Sequence, residues 1–210
     1  MARKLRETAA GLPLHIIHRG NNRMVCFLDD QDRGCYLNWM NLYRQKYNVS
    51  VHAWVLMSNH IHMLCTPHEK YAASQMMKCL AARYVRYFNS KYARTGTLWE
   101  GRFKSFPVFC DVYLLTLYRY IELNPVRAHL VSTPREYHWS SYKTNAYGRS
   151  SNLITPHSTY LELGKSEKVR QKKYKDLIKE SVNQESLRKI GLNPKELGIE
   201  LRLGSEEKIL

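Results

Sequence analysis

Residues 49–67 leave a chain few ways to fold. Val49 to Leu56 (VSVHAWVL) alternates along its length, Met57-Ser58-Asn59 is a short connection, and His60 to Pro67 (HIHMLCTP) is a second apolar run. A period of two belongs to strands, and a short link between two strands makes an antiparallel hairpin. In the first strand Val49, Val51, Ala53 and Val55 are expected on one face, with His52, Trp54 and Leu56 on the other. In the second, His60 and His62 share a face while Ile61, Met63 and Cys65 take the opposite one. One face therefore suits a layer of helices and the other presents two imidazoles. Neutral imidazole is the commonest protein metal ligand, so the pair suits a divalent cation. It equally suits a solvated strand face with no ligand.

The rest of the chain supplies partners for that hairpin. Leu12 to Arg19 reads as a first strand ended by Gly20, Asn21 and Asn22, with His15 and His18 on opposite faces and so no second ligand pair. Asp29, Asp30 and Asp32 open a helix in which Tyr36, Met40, Tyr43 and Tyr47 form the buried stripe, and Arg44 and Lys46 complement its C-terminal dipole. A second helix is expected from about Ala72 to Lys91, with Met76, Leu80, Tyr84 and Tyr87 towards the core, and a fourth strand over Ser105 to Phe109. Asp111 is placed to cap a third helix that Pro125 ends. The order β-α-β-β-α-β-α is a split βαβ arrangement: an α+β fold with an antiparallel sheet, helices on one face, and the histidines on the open face or rim.

The pattern loosens after Ala128, where Trp139, Tyr142 and Tyr147 sit in a candidate cover loop, and residues 166–190 read as a charged helix anchored by Val169, Leu177, Ile178 and Val182. Pro194 is a candidate start for one more short helix. We therefore expect a domain over residues 1–150 and a mostly helical C-terminal extension over 151–210.

Charge narrows the choice of partner. Of the formal net charge of +15, residues 1–128 hold 18 basic against 8 acidic side chains, so the excess accompanies the histidine pair. A basic folded region in a chain with 15 tyrosines suits a polyanion with flat bases, and nucleic acid fits better than a membrane surface. Five cysteines with no CxxC pair argue against a zinc ribbon and a disulfide framework. With no signal-peptide pattern and no membrane-length apolar run, a reducing, cytoplasmic setting is expected.

Tyr120 and Asn124 lie four apart on the expected third helix, where a phenol and an amide oxygen could approach a metal held by His60 and His62. Two imidazoles, an amide oxygen and open positions suit Mg²⁺ or Mn²⁺ better than zinc. Spacing alone does not choose Tyr120 over Tyr118 or Tyr113.

Three motifs add a family likeness. NHIHMLCTP at 59–67 resembles the HUH motif (His, hydrophobic, His) of single-tyrosine transposases. RTGTLWEGRFKS at 94–105 and RYIELNPVRA at 119–128 look like two further signatures of the REP-associated tyrosine transposases, relatives of the insertion-sequence enzymes that move single-stranded DNA. The resemblance covers about Leu12 to Tyr142 and leaves the chain beyond residue 150 outside it. It implies a ferredoxin-like fold, His60 and His62 as metal ligands, Asn124 as third ligand and Tyr120 as nucleophile.

The chemistry implied is transesterification of single-stranded, hairpin-containing DNA through a 5′-phosphotyrosine, by a monomer or homodimer and with no nucleotide cofactor. The chain has no GxxxxGK[ST] phosphate loop. Family members recognise imperfect hairpins with a short unpaired foot, and Arg83, Arg86, Arg94, Arg102 and Lys104 are the candidates here for backbone contacts. Trp99 reads either as a base-stacking residue or as a core anchor of its loop. Two rivals remain: a hairpin-binding regulator on the same fold that does not cut, and a hydrolase whose attacker is a bound water.

Overall fold

A computed structural model describes residues 9–179. Four strands, β1 (Leu14–Arg19), β2 (Val49–Leu56), β3 (His60–Pro67) and β4 (Lys104–Pro107), form an antiparallel sheet in the order β2-β3-β1-β4. The sequence boundaries hold for β2, and β4 begins one residue earlier and ends two residues earlier than expected. Helices α1 (Asp30–Lys46) and α2 (Ala72–Lys91) cover one face. Tyr36 and Met40 of α1 and Met76, Leu80, Tyr84 and Phe88 of α2 share a buried cluster with Leu14, Ile16, Ile61, Met63 and Cys65 of the sheet. This is the α+β, ferredoxin-like arrangement read from the sequence.

Helix α1 begins where the aspartates place it. Asp29 is the N-cap and accepts from the Asp32 amide, while the Asp32 carboxylate accepts from the Asp29 amide in a reciprocal capping box. Asp32 is fully buried and also receives Lys91 Nζ at 2.9 Å, the Tyr87 hydroxyl at 3.0 Å and the Tyr92 hydroxyl at 2.9 Å, which ties the end of α2 to the start of α1.

The alternation expected along β2 does not survive. His52 is an extra residue between Val51, which faces Cys65, and Ala53, which faces Leu64, so β2 carries a bulge. Val49 and Val51 lie in the cluster beneath α1 and α2, but beyond the bulge it is Trp54 and Leu56 that join them. His52 is held by Thr155 O at 2.7 Å and Thr66 Oγ1 at 2.8 Å.

The second sheet face is also partly covered. Helix α3 (Asp111–Glu122) packs on β2 and β3, with Leu114, Leu117 and Ile121 buried. Its N-cap is Cys110, without a side-chain hydrogen bond; Asp111 is its first residue and accepts instead from Thr159 Oγ1 at 2.6 Å. Pro125 has no N–H to extend the ladder, so the helix stops at Glu122, turns at Leu123 and restarts as α4 (Asn124–Arg127). Helices α5 (Tyr142–Tyr147), α6 (Ser158–Leu161) and α7 (Glu167–Lys179) pack on one another and on α3.

Residues 151–179 thus belong to the same compact unit as the sheet, past the boundary expected at 150. Tyr174 and Ile178 of α7 are buried, whereas Val169 is 44% exposed. The expected continuation of this helix to residue 190, with Val182, and the start at Pro194 lie outside the described residues.

The Asp29–Lys91–Asp32 junction gives a pH test. The Lys91 contact, aided by the Asp32 amide, holds Asp29 at about 2. Burial alone would raise Asp32, but hydrogen bonds from Lys91, Tyr92, the Leu28 amide and Tyr87 hold it below the ordinary carboxylate range. Depressed folded-state values mean stability that is present above the unfolded carboxylate pKa of about 3.9 and lost as pH falls towards 2. Lys91→Gln should therefore melt below wild type at pH 7, and the gap between their melting temperatures should close on acidification through that window.

Candidate active site

The β1–β3 pairing sets Arg19 beside His60, Ile17 beside His62 and His15 beside Leu64. His15, Arg19, His60 and His62 accordingly project from the face opposite α1 and α2, and α3 brings Tyr120 over them. The His60 and His62 rings are 5.0 Å apart and the His62 and Tyr120 rings 5.3 Å apart, both pairs near-perpendicular. The Asn124 side chain acts on both His60 and Tyr120, raising the pKa of the first and lowering that of the second. The break at Leu123 puts Asn124 at the start of α4 instead of on one continuous helix with Tyr120, and the two still meet. The sequence-derived set His60, His62, Tyr120 and Asn124 is therefore one cluster. Tyr118 and Tyr113, which spacing left open, are elsewhere: Tyr118 packs against Tyr160 and Tyr174, and neither touches the histidines.

Burial decides the protonation states. It lowers His60 to about 4, helped by the Arg19 charge and opposed by the Asn124 hydrogen bond. His62 is pushed well below its ordinary value by burial and then by His60, His15 and the nearby arginines. Both rings are thus neutral near pH 7, the form that ligates metals. Burial raises Tyr120, while Arg127, the Asn124 hydrogen bond and Arg19 pull it back down.

Three neighbours of the cluster were not singled out in the sequence. His15 Nε2 lies 3.0 Å from His62 Nδ1, and its ring is 5.9 Å from that of Tyr120. The Arg127 guanidinium sits 5.0 Å from the Tyr120 ring centroid. Arg19 lies at the end of β1, 3.9 Å from Glu100. Signals existed: His15 and Arg19 share a parity in β1, and Arg127 follows Tyr120 by seven, two helical turns on. Neither signal identifies the element that the residue will face.

Of the five cations chosen for DNA contacts, Lys104 shares the histidine face, paired across the sheet with Ile17, whereas Arg83 and Arg86 are carried by α2 on the other face. Arg83 stacks on Trp39, 4.9 Å from the ring centroid, and Arg94 is held by Phe88 and the Met24 sulfur. Arg86, Arg102 and Lys104 are exposed. Trp99 is buried, stacked on His18 with centroids 4.0 Å apart, which is the core-anchor reading of this residue.

The site is thus a tyrosine held over a pair of strand histidines on a four-stranded antiparallel sheet. The comparisons give the family: the model described as "Transposase IS200 like" matches residues 8–124, and the chain belongs to that family. Its structure is similar to that of a REP-associated tyrosine transposase bound to a REP hairpin, with 18% sequence identity over 76% of this chain and 96% of the other and a TM-score of 0.60. A candidate transposase from Deinococcus radiodurans is similar at 17% identity over 58% of this chain and 96% of the other, with a TM-score of 0.40. No curated protein matches the sequence. No helix among the described residues is long and apolar enough to cross a membrane.

Because Asn124 acts on two partners, Asn124→Ala should lower the unfolding free energy by about 1 kcal/mol, and Tyr120→Phe, which keeps the buried ring, by less. Urea unfolding of the three proteins checks the order.

Proposed function

We propose that this IS200-like transposase cleaves and rejoins single-stranded, hairpin-containing DNA, with Tyr120 as the nucleophile. The observation that carries the reading is Tyr120 set over the imidazole pair, its ring 5.3 Å from that of His62, with His62 5.0 Å from His60 and Asn124 acting on both Tyr120 and His60. A relative of similar fold is bound to a REP hairpin, which supports a hairpin as the substrate class.

The donor set fits a hard divalent cation such as Mg²⁺ or Mn²⁺. Nδ1 of His60 is taken by Asn59 Oδ1 at 2.7 Å and Nδ1 of His62 by His15 at 3.0 Å, so a cation would be held through the two Nε2 atoms, displacing the Asn124 contact of His60. Among the described residues no group of three His, Cys, Asp or Glu side chains is placed to hold a metal, so Asn124 Oδ1 is the natural third donor. A cation held there would polarise the non-bridging oxygens of the scissile phosphate.

The protein's own groups do the rest. The Tyr120 oxygen attacks phosphorus in line, a phosphotyrosyl bond forms at the 5′ end, and the departing oxygen takes a proton to become a 3′-hydroxyl. Attack needs the phenolate, and an ordinary phenol near pKa ~10 is ionised to only about one part in a thousand at pH 7. Arg127 and Arg19 favour the anion inside a site whose burial opposes it. The phosphotyrosine conserves the bond, so a second 3′-hydroxyl can reverse the step and rejoin strands. Arg86, Arg102 and Lys104 supply exposed positive charge for the DNA backbone.

Purified protein incubated with labelled hairpin DNA and Mg²⁺ or Mn²⁺ should give a covalent adduct on a denaturing gel, absent from Tyr120→Phe, His60→Ala and His62→Ala and retained by Tyr118→Phe. Binding by Tyr120→Phe should match wild type and weaken steeply with salt. Cutting by both tyrosine variants would assign the attack to water; binding with no cutting under any divalent cation would make the protein a regulator.

A further inference from the structure

The turn that follows β1 is strained, and it is tied to the start of β3. Asn22 and Arg23 both lie in the left-handed region, with φ of 49° and 59°, although neither is glycine. Their surroundings hold them there. The Gly20 amide donates to Asn59 O at 2.8 Å, the Asn21 amide to Leu98 O at 2.9 Å and the Cys26 amide to Ser58 O at 2.8 Å, and a Cβ on Gly20 would collide with Met24 O. What the turn delivers is the Arg23 carbonyl, whose oxygen is 3.0 Å from Asn59 Nδ2.

That contact sets the chemistry of the neighbouring ring. A carbonyl oxygen only accepts, so the Asn59 amide must turn its NH₂ group to Arg23 O and its oxygen to His60 Nδ1, 2.7 Å away. An amide oxygen also only accepts, so His60 Nδ1 carries the ring proton. A neutral imidazole has one such proton, which leaves Nε2 with its lone pair.

The other contacts of the imidazole pair impose no such direction. Asn124, which also acts on His60, can offer the ring its oxygen or its nitrogen, so either tautomer would find a partner there. His62 meets His15, and each of those rings can donate or accept. Of these three contacts, only that of Asn59 has its sense set by an obligate acceptor. We infer that Asn59 is a positioning residue: oriented by the Arg23 carbonyl, its amide fixes His60 in the Nδ1-protonated tautomer, with Nε2 free to ligate. The role deepens, and rests on, the reading of His60 and His62 as ligands of a divalent cation. It also gives the strained turn a purpose, because relaxing Asn22 and Arg23 would withdraw the carbonyl that orients the amide.

Two variants separate this role from simple pinning of the turn. Asn59→Leu keeps the size of the side chain and loses both contacts; Asn59→Asp loses the donor to Arg23 O and keeps an oxygen for His60 Nδ1. Nitrogen NMR of ¹⁵N-histidine-labelled protein without metal, at mildly alkaline pH where the rings are neutral, should show His60 protonated on Nδ1 in wild type and in Asn59→Asp, and redistributed towards Nε2 in Asn59→Leu. Calorimetric Mn²⁺ affinity should fall about 10–100-fold in Asn59→Leu and stay at or above wild type in Asn59→Asp. A wild-type His60 protonated on Nε2, an unchanged tautomer in Asn59→Leu, or equal loss of Mn²⁺ affinity in both variants would overturn the role. A wild type that carries the Nδ1 proton, loses it in Asn59→Leu and binds no Mn²⁺ would sink the metal reading alone and uphold the control of the tautomer by Asn59.

Discussion

The antiparallel register between β1 and β3 is the constraint on which this molecule depends. Pairing Arg19 with His60 and Ile17 with His62 sends three histidines and an arginine to one face and Leu14, Ile16, Ile61, Met63 and Cys65 to the other. A slip of one residue would exchange the two sets, burying imidazoles under α1 and α2 and exposing the core. The apolar set therefore fixes the site without contributing an atom to it.

Holding Tyr120 against that face is the task of the opposite layer. Glu122, two residues on, is fully buried and accepts from Ser141 Oγ at 2.6 Å, Asn145 Nδ2 at 2.8 Å and the Tyr174 hydroxyl at 2.6 Å. These donors come from the segment preceding α5, from α5 and from α7, so one side chain of α3 gathers the elements that follow it. Burial pushes Glu122 up to about 7 against those hydrogen bonds, the expected result for a carboxyl with donors but no cation. Removing Tyr174 would leave part of that carboxyl unsatisfied in the interior, which explains why residues 151–179 pack as part of the domain.

Legibility in the sequence followed the range of the interactions. Helix α2 and the β2–β3 hairpin were readable because period and turn chemistry are local, and His60 and His62 because two residues apart in a strand means one face. The bulge at His52 was not: it comes with no glycine or proline, and its partners Thr155 and Thr66 are distant in sequence. His15 escaped notice because the residue it contacts, His62, lies 47 positions away. The charged stretch that holds Tyr174 likewise looked like a solvated extension, since one buried tyrosine among lysines leaves little periodic trace. Tyr120 itself became distinct from Tyr118 only through the family motif, and the structure separates them by direction: Tyr118 points into the Tyr160–Tyr174 cluster and Tyr120 at the histidines.

The balance at Tyr120 follows from the same architecture. Burial favours the neutral phenol, and the two arginines favour the anion. Arg19 is drawn to Glu100 at 3.9 Å, a weak and half-exposed contact, while Arg127 lies over the phenol ring from α4. The break that Pro125 imposes is what turns α4 so that both Asn124 and Arg127 return to Tyr120. A cationic lining of this kind would attract phosphate and repel a bare divalent ion. On the proposed function, a divalent cation would therefore bind best together with the DNA phosphate, whose negative charge offsets the arginines.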